Sequence, residues 1–338
     1  MSTIGSDESH ILDDVTVSVS GDLPIGGGDT LFSRGTDDWD QTNTWSTTIG
    51  GASCGCTPNA NSVVYVLFGD WVLLDNDADA KELHIEFGGR MDWDADNVEL
   101  TIHDDGIVEV SVGARLFENG RGNAFLEFDG TGNHTLAVYC EDVGLEVDQI
   151  RVTENCSLTV VGNGRIDVED DFELVANGAT VINQFTNLLY IQDDLDLLGD
   201  DVVFHNDRGY LYIDGTLEIL GERTEIINRD SIYVDLDFHG ENADDGTFEN
   251  HGYIHCNDDV IMSNNSDDYR IDNFGFWRID DDLRESGTGA VANEFHNRSG
   301  SYFQLVHNSS ELDWQLWALR FQYSRLLSTG STGLPFHT

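Results

Sequence analysis

The chain has 338 residues, 64 of them Asp or Glu and only 16 Lys or Arg, for a formal net charge of −48. So acidic a body repels nucleic acid and other polyanionic surfaces, which argues against them as partners. With three Pro, 35 Gly and 39% hydrophobic residues it reads as ordered protein, and no apolar run is long enough for membrane insertion.

Residues 1–35 stand outside the pattern that follows. Val15, Val17 and Val19 alternate like one strand, and a glycine-rich loop with Pro24 leads to Thr30. The segment suits an arm reaching to a neighbouring subunit and a cap on the first turn of the fold equally well. Its polar start, Ser2 to Asp14, lacks the basic and then apolar character of a secretion signal. A chain assembled inside the cell, or a mature fragment, is expected.

From Trp39 to Trp93 come Trp39, Trp45, Gly50-Gly51, Pro58, the runs Val63 to Val66 and Trp71 to Leu74, and Leu83-His84-Ile85 before Gly88-Gly89. This segment resembles the glycine-rich entry module of right-handed parallel β-helix surface proteins. The resemblance implies the fold and says little about function, because adhesins, surface proteins and glycan-active proteins share such modules. Cys54-Gly55-Cys56 departs from the pattern. Two acidic triplets lie here, Asp75/Asp77/Asp79 and Asp92/Asp94/Asp96, and hard oxygen ligands at this spacing suit calcium. Neither continues as an EF-hand, since Asn97 replaces the turn glycine and His103 the bidentate glutamate. A solvated acidic face is the competing reading; if one calcium site exists, Asp92, Asp94 and Asp96 are the expected ligands.

Strands with glycine-rich turns continue between Val98 and Val161. From Arg165 to Leu283 the chain becomes a clear repeat: Ile166, Leu189, Leu211, Ile232, Ile254 and Trp277 recur every 21 to 23 residues. Two positions after each comes Val168, Ile191, Ile213, Val234, Cys256 or Ile279, and six after each comes Phe172, Leu195, Leu217, Phe238, Val260 or Leu283. Offsets of two are strand alternation, and a fixed period near 22 marks a stacked array. The expected fold is an all-β, single-stranded, right-handed parallel β-helix over 36–309, about 22 residues per coil, with three apolar columns inside. Asn183, Asn206, Asn228, Asn250, Asn273 and Asn297 also recur, as a polar turn column or as a hydrogen-bonded ladder.

Acidic pairs precede the third apolar column: Asp170-Asp171, Asp193-Asp194, Asp258-Asp259 and Asp281-Asp282. Carboxylates stacked ~4.8 Å apart repel by roughly 0.9 kcal/mol per neighbouring pair in water, so the column demands salt or divalent cations. The five cysteines, an odd number, give no disulfide framework, and Cys256 fits an apolar column.

After residue 309 the repeat stops. Ser310-Glu311-Leu312-Asp313 reads as a capping box, with Leu312, Leu316, Leu319, Tyr323 and Leu326 following at steps of four and three. The expectation over 310–338 is a short capping helix. Its second apolar face, Trp314, Trp317 and Phe321, is the candidate subunit contact of a homo-oligomer, a trimer favoured.

No carboxylate pair, histidine cluster or phosphate-binding loop stands out as catalytic. Composition and architecture together resemble the spikes, fibres or turrets on the virion surface of tailed viruses of halophilic archaea. That resemblance implies a non-enzymatic protein with other virion proteins as neighbours and a host surface glycan or protein as target. The alternative is a secreted or cell-surface glycan-binding adhesin or polysaccharide-active β-helix enzyme.

Overall fold

A computed structural model describes residues 30–118, 123–140, 142–241, 243–263, 268–286, 293–306, 318–321 and 325–328. Every regular element among them is a β-strand. Each coil of the repeat contributes three strands, as in Arg165–Val168, Phe172–Leu174 and Thr180–Asn183, and each strand pairs in parallel with its counterpart one coil on. The result is a three-faced parallel β-solenoid.

One face is a sheet of 13 strands, called here the second sheet, and the other two faces belong to a 22-stranded first sheet. The two faces of the first sheet merge near the N-terminal end through the long strand Val98–Val110. Its first half pairs with Ala124–Asp129 and its second half with Asn133–Val138. Between the halves, Asp104 and Asp105 sit at φ 36° and 42°, which turns the strand from one face to the next. Thirteen strands give twelve spacings of about 4.8 Å, a rod roughly 58 Å long.

The three apolar columns lie inside as the spacing demands. Ile166, Leu189, Leu211, Ile232, Ile254 and Trp277 align residue for residue and are buried, as are the columns that contain Val168 and Phe172. Turns between faces are tight enough to dictate their residues. At Gly209, φ is +81° and an added Cβ would fall on the carbonyl oxygen of Phe185 in the previous coil.

Of the two readings of the asparagine column, the structure takes the ladder, and takes it indoors. All six asparagines are fully buried. From Asn183 to Asn273 each Nδ2 donates to the Oδ1 of the next, at 2.8, 2.9, 2.8, 2.8 and 2.6 Å, and the ladder ends at Asn297, whose Nδ2 has no partner among the described residues. The second amide proton of Asn206, Asn228, Asn250 and Asn273 goes to a backbone carbonyl of a neighbouring coil, and Oδ1 atoms also accept backbone N–H groups two residues on. These bonds offset the cost of burying the amides within the ladder. On the N-terminal side the same register position is held by Val160, Leu136 and Val108; on the C-terminal side it is held by Phe321.

Two expectations are corrected. The capping helix is not formed where the structure describes its span: Ala318–Phe321 and Arg325–Ser328 are strands, parallel to Glu294–Asn297 and Tyr302–Leu305. The open strand edges of the preceding coil offer these residues hydrogen-bond partners in register, which outweighs a helical spacing of leucines. The capping box, Trp314, Trp317 and Tyr323 lie outside the described residues. Cys54 and Cys56 form a disulfide with Cα atoms 5.2 Å apart, a loop of one intervening glycine that an odd cysteine count did not suggest. Cys140, Cys156 and Cys256 are free and buried.

Candidate functional site

The acidic triplet offered for calcium is not drawn together. Asp92 is fully buried on the strand Arg90–Trp93, and its carboxylate takes both Nε and Nη2 of Arg90 at 2.6 to 2.9 Å. That guanidinium lies between the rings of Trp71 and Phe117, 4.3 and 4.4 Å from their centroids. Asp92 therefore neutralises a stacked arginine. Asp94 is half-buried and Asp96 exposed. In the other triplet, Asp77 accepts the backbone N–H of Glu99, and Asp79 pairs with His103, which stands where an EF-hand would place its glutamate.

Carboxylates do converge at the corner between the second sheet and the following face, where the acidic pairs stack. Groups of three with oxygens within 4.8 Å of one another are Asp170/Asp171/Asp193, Asp171/Glu173/Asp196, Asp237/Asp258/Asp259 and Asp259/Asp281/Asp282, with a further one at Asp38/Asp40/Asp75. Hard cations take such oxygen sets. The corner carboxylates also have a structural task that the sequence did not reveal. Asp171 accepts the N–H of Asp194, Asp194 that of Thr216, Asp237 that of Asp259, and Asp259 that of Asp282, each one coil on. They cap the turns of their neighbours, so mutual repulsion is partly offset by charge-assisted hydrogen bonds.

Burial and crowding raise the pKa of two members. Burial first, and then Asp171, Asp194, Glu218 and Glu173, push Asp196 up to about 7. Its Oδ1 is buried without a partner. Burial and the neighbouring Asp170, Asp193 and Asp194 push Asp171 up to about 6, against the N–H bond from Asp194.

A different surface lies on the outer face of the second sheet, where side chains between the buried columns point outward. Over the six strands from Leu188–Ile191 to Tyr302–Leu305, one row is Leu188, Tyr210, Ser231, Tyr253, Phe276 and Tyr302. The parallel row is Tyr190, Tyr212, Tyr233, His255, Arg278 and Gln304. Tyr212 stacks on Tyr233 at 4.7 Å between centroids and meets Tyr190 edge-on at 5.3 Å; Tyr253 stacks on Phe276 at 5.3 Å. Along one edge Tyr190 donates its hydroxyl to Asp214 and Tyr233 to Asp235, while Asp280 takes both Arg278 and His255. Tyr210, Tyr253 and Tyr302 remain 39%, 37% and 44% exposed. The signal was present in the sequence at the positions between the apolar columns, Tyr190, Tyr212 and Tyr233, at the same period.

Two shallow clefts of about 370 Å³ flank these features, one lined by Arg115, Phe117 and Glu146 and the other by Asp207, Arg208 and Arg229. Compared with known proteins, the chain matches no family model, no curated protein and no solved structure.

Proposed function

We propose that this chain is a non-enzymatic structural rod at the surface of a virus particle, a spike, fibre or turret of a tailed virus with a halophilic host, and that it serves host attachment. The observation that carries the reading is the unbroken stack itself: a rod roughly 58 Å long whose coils are tied by continuous ladders, inside a surface bearing most of 64 acidic side chains. Such a body is stiff along its axis and is suited to a salt-rich medium that screens its charge. The Cys54–Cys56 disulfide suits exposure to an oxidising exterior. Homo-oligomerisation, with a trimer favoured, belongs to the same proposal, and Trp314, Trp317 and Phe321 are the sequence's candidates for that contact.

Gold-labelled antibody against this chain tests the reading on particles from an infected halophilic culture and on uninfected cells. Label on the particles is expected. Label confined to the envelope of uninfected cells would overturn the virion assignment in favour of a cell-surface adhesin.

A second reading, a polysaccharide-active enzyme, draws on one arrangement: the carboxylates of Asp171, Glu173 and Asp196 lie within 4.8 Å of one another, and burial with its acidic neighbours pushes Asp196 up to about 7. A carboxyl with a raised pKa beside a second carboxylate is the pairing that general acid catalysis of glycoside cleavage uses. Release of reducing ends from polysaccharide, lost in Asp196→Asn, would favour it.

A further inference from the structure

We propose that the outer face of the second sheet, from Leu188 to Gln304, binds a neutral glycan chain laid along the rod axis over Tyr210, Tyr212, Tyr233, Tyr253 and Phe276. The proposal names a ligand class and a site for the attachment reading, and rests on that reading.

Charge is the first argument. The twelve outward positions of the two rows hold no Asp or Glu, in a chain where 64 of 338 residues are acidic. Their one arginine, Arg278, is held by Asp280. This strip is a neutral lane on a body of net charge −48, with Asp214, Asp235 and Asp280 along its edge. Molar salt screens charge beyond about 3 Å, so an acidic polymer is repelled only where its anionic groups touch that edge, whereas an uncharged one meets no such barrier at contact.

Size is the second. Five inter-strand spacings give a lane about 24 Å long, and two outward residues per strand make it about 10 Å wide, so roughly 240 Å² is on offer. A stable protein partner needs about 800 Å² on its own side. A second copy of this chain needs the same area, about three times what the lane offers. The lane fits a slender ligand instead.

Chemistry is the third. Aromatic rings repeat once per coil and present rigid, amphipathic faces that lose little conformational entropy on contact. Hydroxyls of Tyr190 and Tyr233 are oriented by carboxylates, which leaves phenol and carboxylate oxygens to accept further hydrogen bonds. A ligand that satisfies both carries apolar C–H faces and hydroxyl groups at every step along its length. A sugar chain does so, and a repeating polymer meets the same groups at each coil.

The test uses the full chain in multimolar KCl on an array of neutral and of sulfated oligosaccharides, with Tyr212→Ser/Tyr233→Ser and the more exposed pair Tyr210→Ala/Tyr253→Ala as variants. Retention of at least one neutral oligosaccharide is expected, with about tenfold weaker binding in each double variant, unchanged melting temperature in the exposed pair, and rescue by Tyr212→Phe/Tyr233→Phe. Absence of binding to any neutral oligosaccharide, preference for the sulfated ones, or equal binding by the exposed-pair variant would overturn the site. So would light scattering that shows an assembly of the wild-type chain dissolved by Tyr210→Ala/Tyr253→Ala, because a second copy would then be the occupant. Adsorption to intact halophilic cells separates the two levels. If wild type and variants adsorb equally, attachment stands and this site falls; if the wild type adsorbs to no cells, the attachment reading falls whatever the array shows.

Discussion

Asn228 donates its side-chain amide to Asn250 at 2.8 Å while its own Oδ1 accepts from Asn206 at 2.9 Å, so a single buried residue holds three coils in register. Its second proton reaches the carbonyls of Asp230 and Tyr253. Nothing apolar of similar size replaces these bonds without stranding the amides above and below.

Asn228→Val is therefore expected to cost about 2 to 4 kcal/mol, since it severs two amide links inside the core. Asn183→Val severs only one, and Val160 already occupies the coil before it. A cost of about 1 to 2 kcal/mol is expected there. Chemical denaturation of both variants checks the order; equal costs would mean that the ladder does not act as a chain.

Leu211→Ala is expected to destabilise by about 2 to 5 kcal/mol. Leu211 is fully buried between Leu189 and Ile232, whose strands are fixed by pairing on both sides and cannot close the gap. The same denaturation series reads this out.

Stability should fall as pH rises from about 4 to 9, from two causes acting in succession. Asp171 and Asp196 bind protons more tightly folded than unfolded, with values pushed up to about 6 and about 7 from 3.8, so ionising them works against the fold as pH climbs through that window. For His84, burial opposes the charge, but hydrogen bonds to Glu109 and Glu82 more than reverse this and raise it to about 9. Its contribution is complete below 6.5 and is lost as pH passes 9. Melting temperature against pH at fixed high salt checks the sign, and Asp196→Asn should flatten the lower part of the curve.

Much of the fold was legible because a solenoid writes its interior into the sequence as a period. Ile166, Leu189 and Leu211 announce a column whatever the turns between them do. Asn206 was harder, because asparagine suits turns as well as ladders and only the register with Asn183 and Asn228 puts it indoors. The strand Ala318–Phe321 is not legible in the sequence, because Leu312, Leu316 and Leu319 keep a helical interval, and the pull of an open sheet edge is a tertiary effect that local spacing does not carry. The tyrosine lane is hidden in the sequence for a different reason. Tyr190, Tyr212 and Tyr233 share the period, but an outward row of a strand meets either solvent or a ligand, and spacing does not distinguish the two. The acidic corner was seen as a source of repulsion, yet its second role, as acceptor for the next coil's backbone, depends on carboxylate positions that no spacing fixes.

That second role sharpens one substitution. Asp194→Asn keeps an oxygen for the N–H of Thr216 while removing a charge from the column, and is expected to be neutral or stabilising in low salt. Asp194→Ala removes both and is expected to cost about 1 to 3 kcal/mol. A destabilising Asp194→Asn, accompanied by loss of calcium binding, would instead assign the corner to a metal.

Stacking like-charged coils makes a body that folds against its own repulsion, so its stability should depend on screening. Melting temperature measured from multimolar down to about 0.1 M KCl, with and without calcium, tests it most directly. The account predicts a steep fall as salt is withdrawn, partly restored by calcium and blunted in Asp194→Asn; a melting temperature that stays flat across the whole range would contradict it.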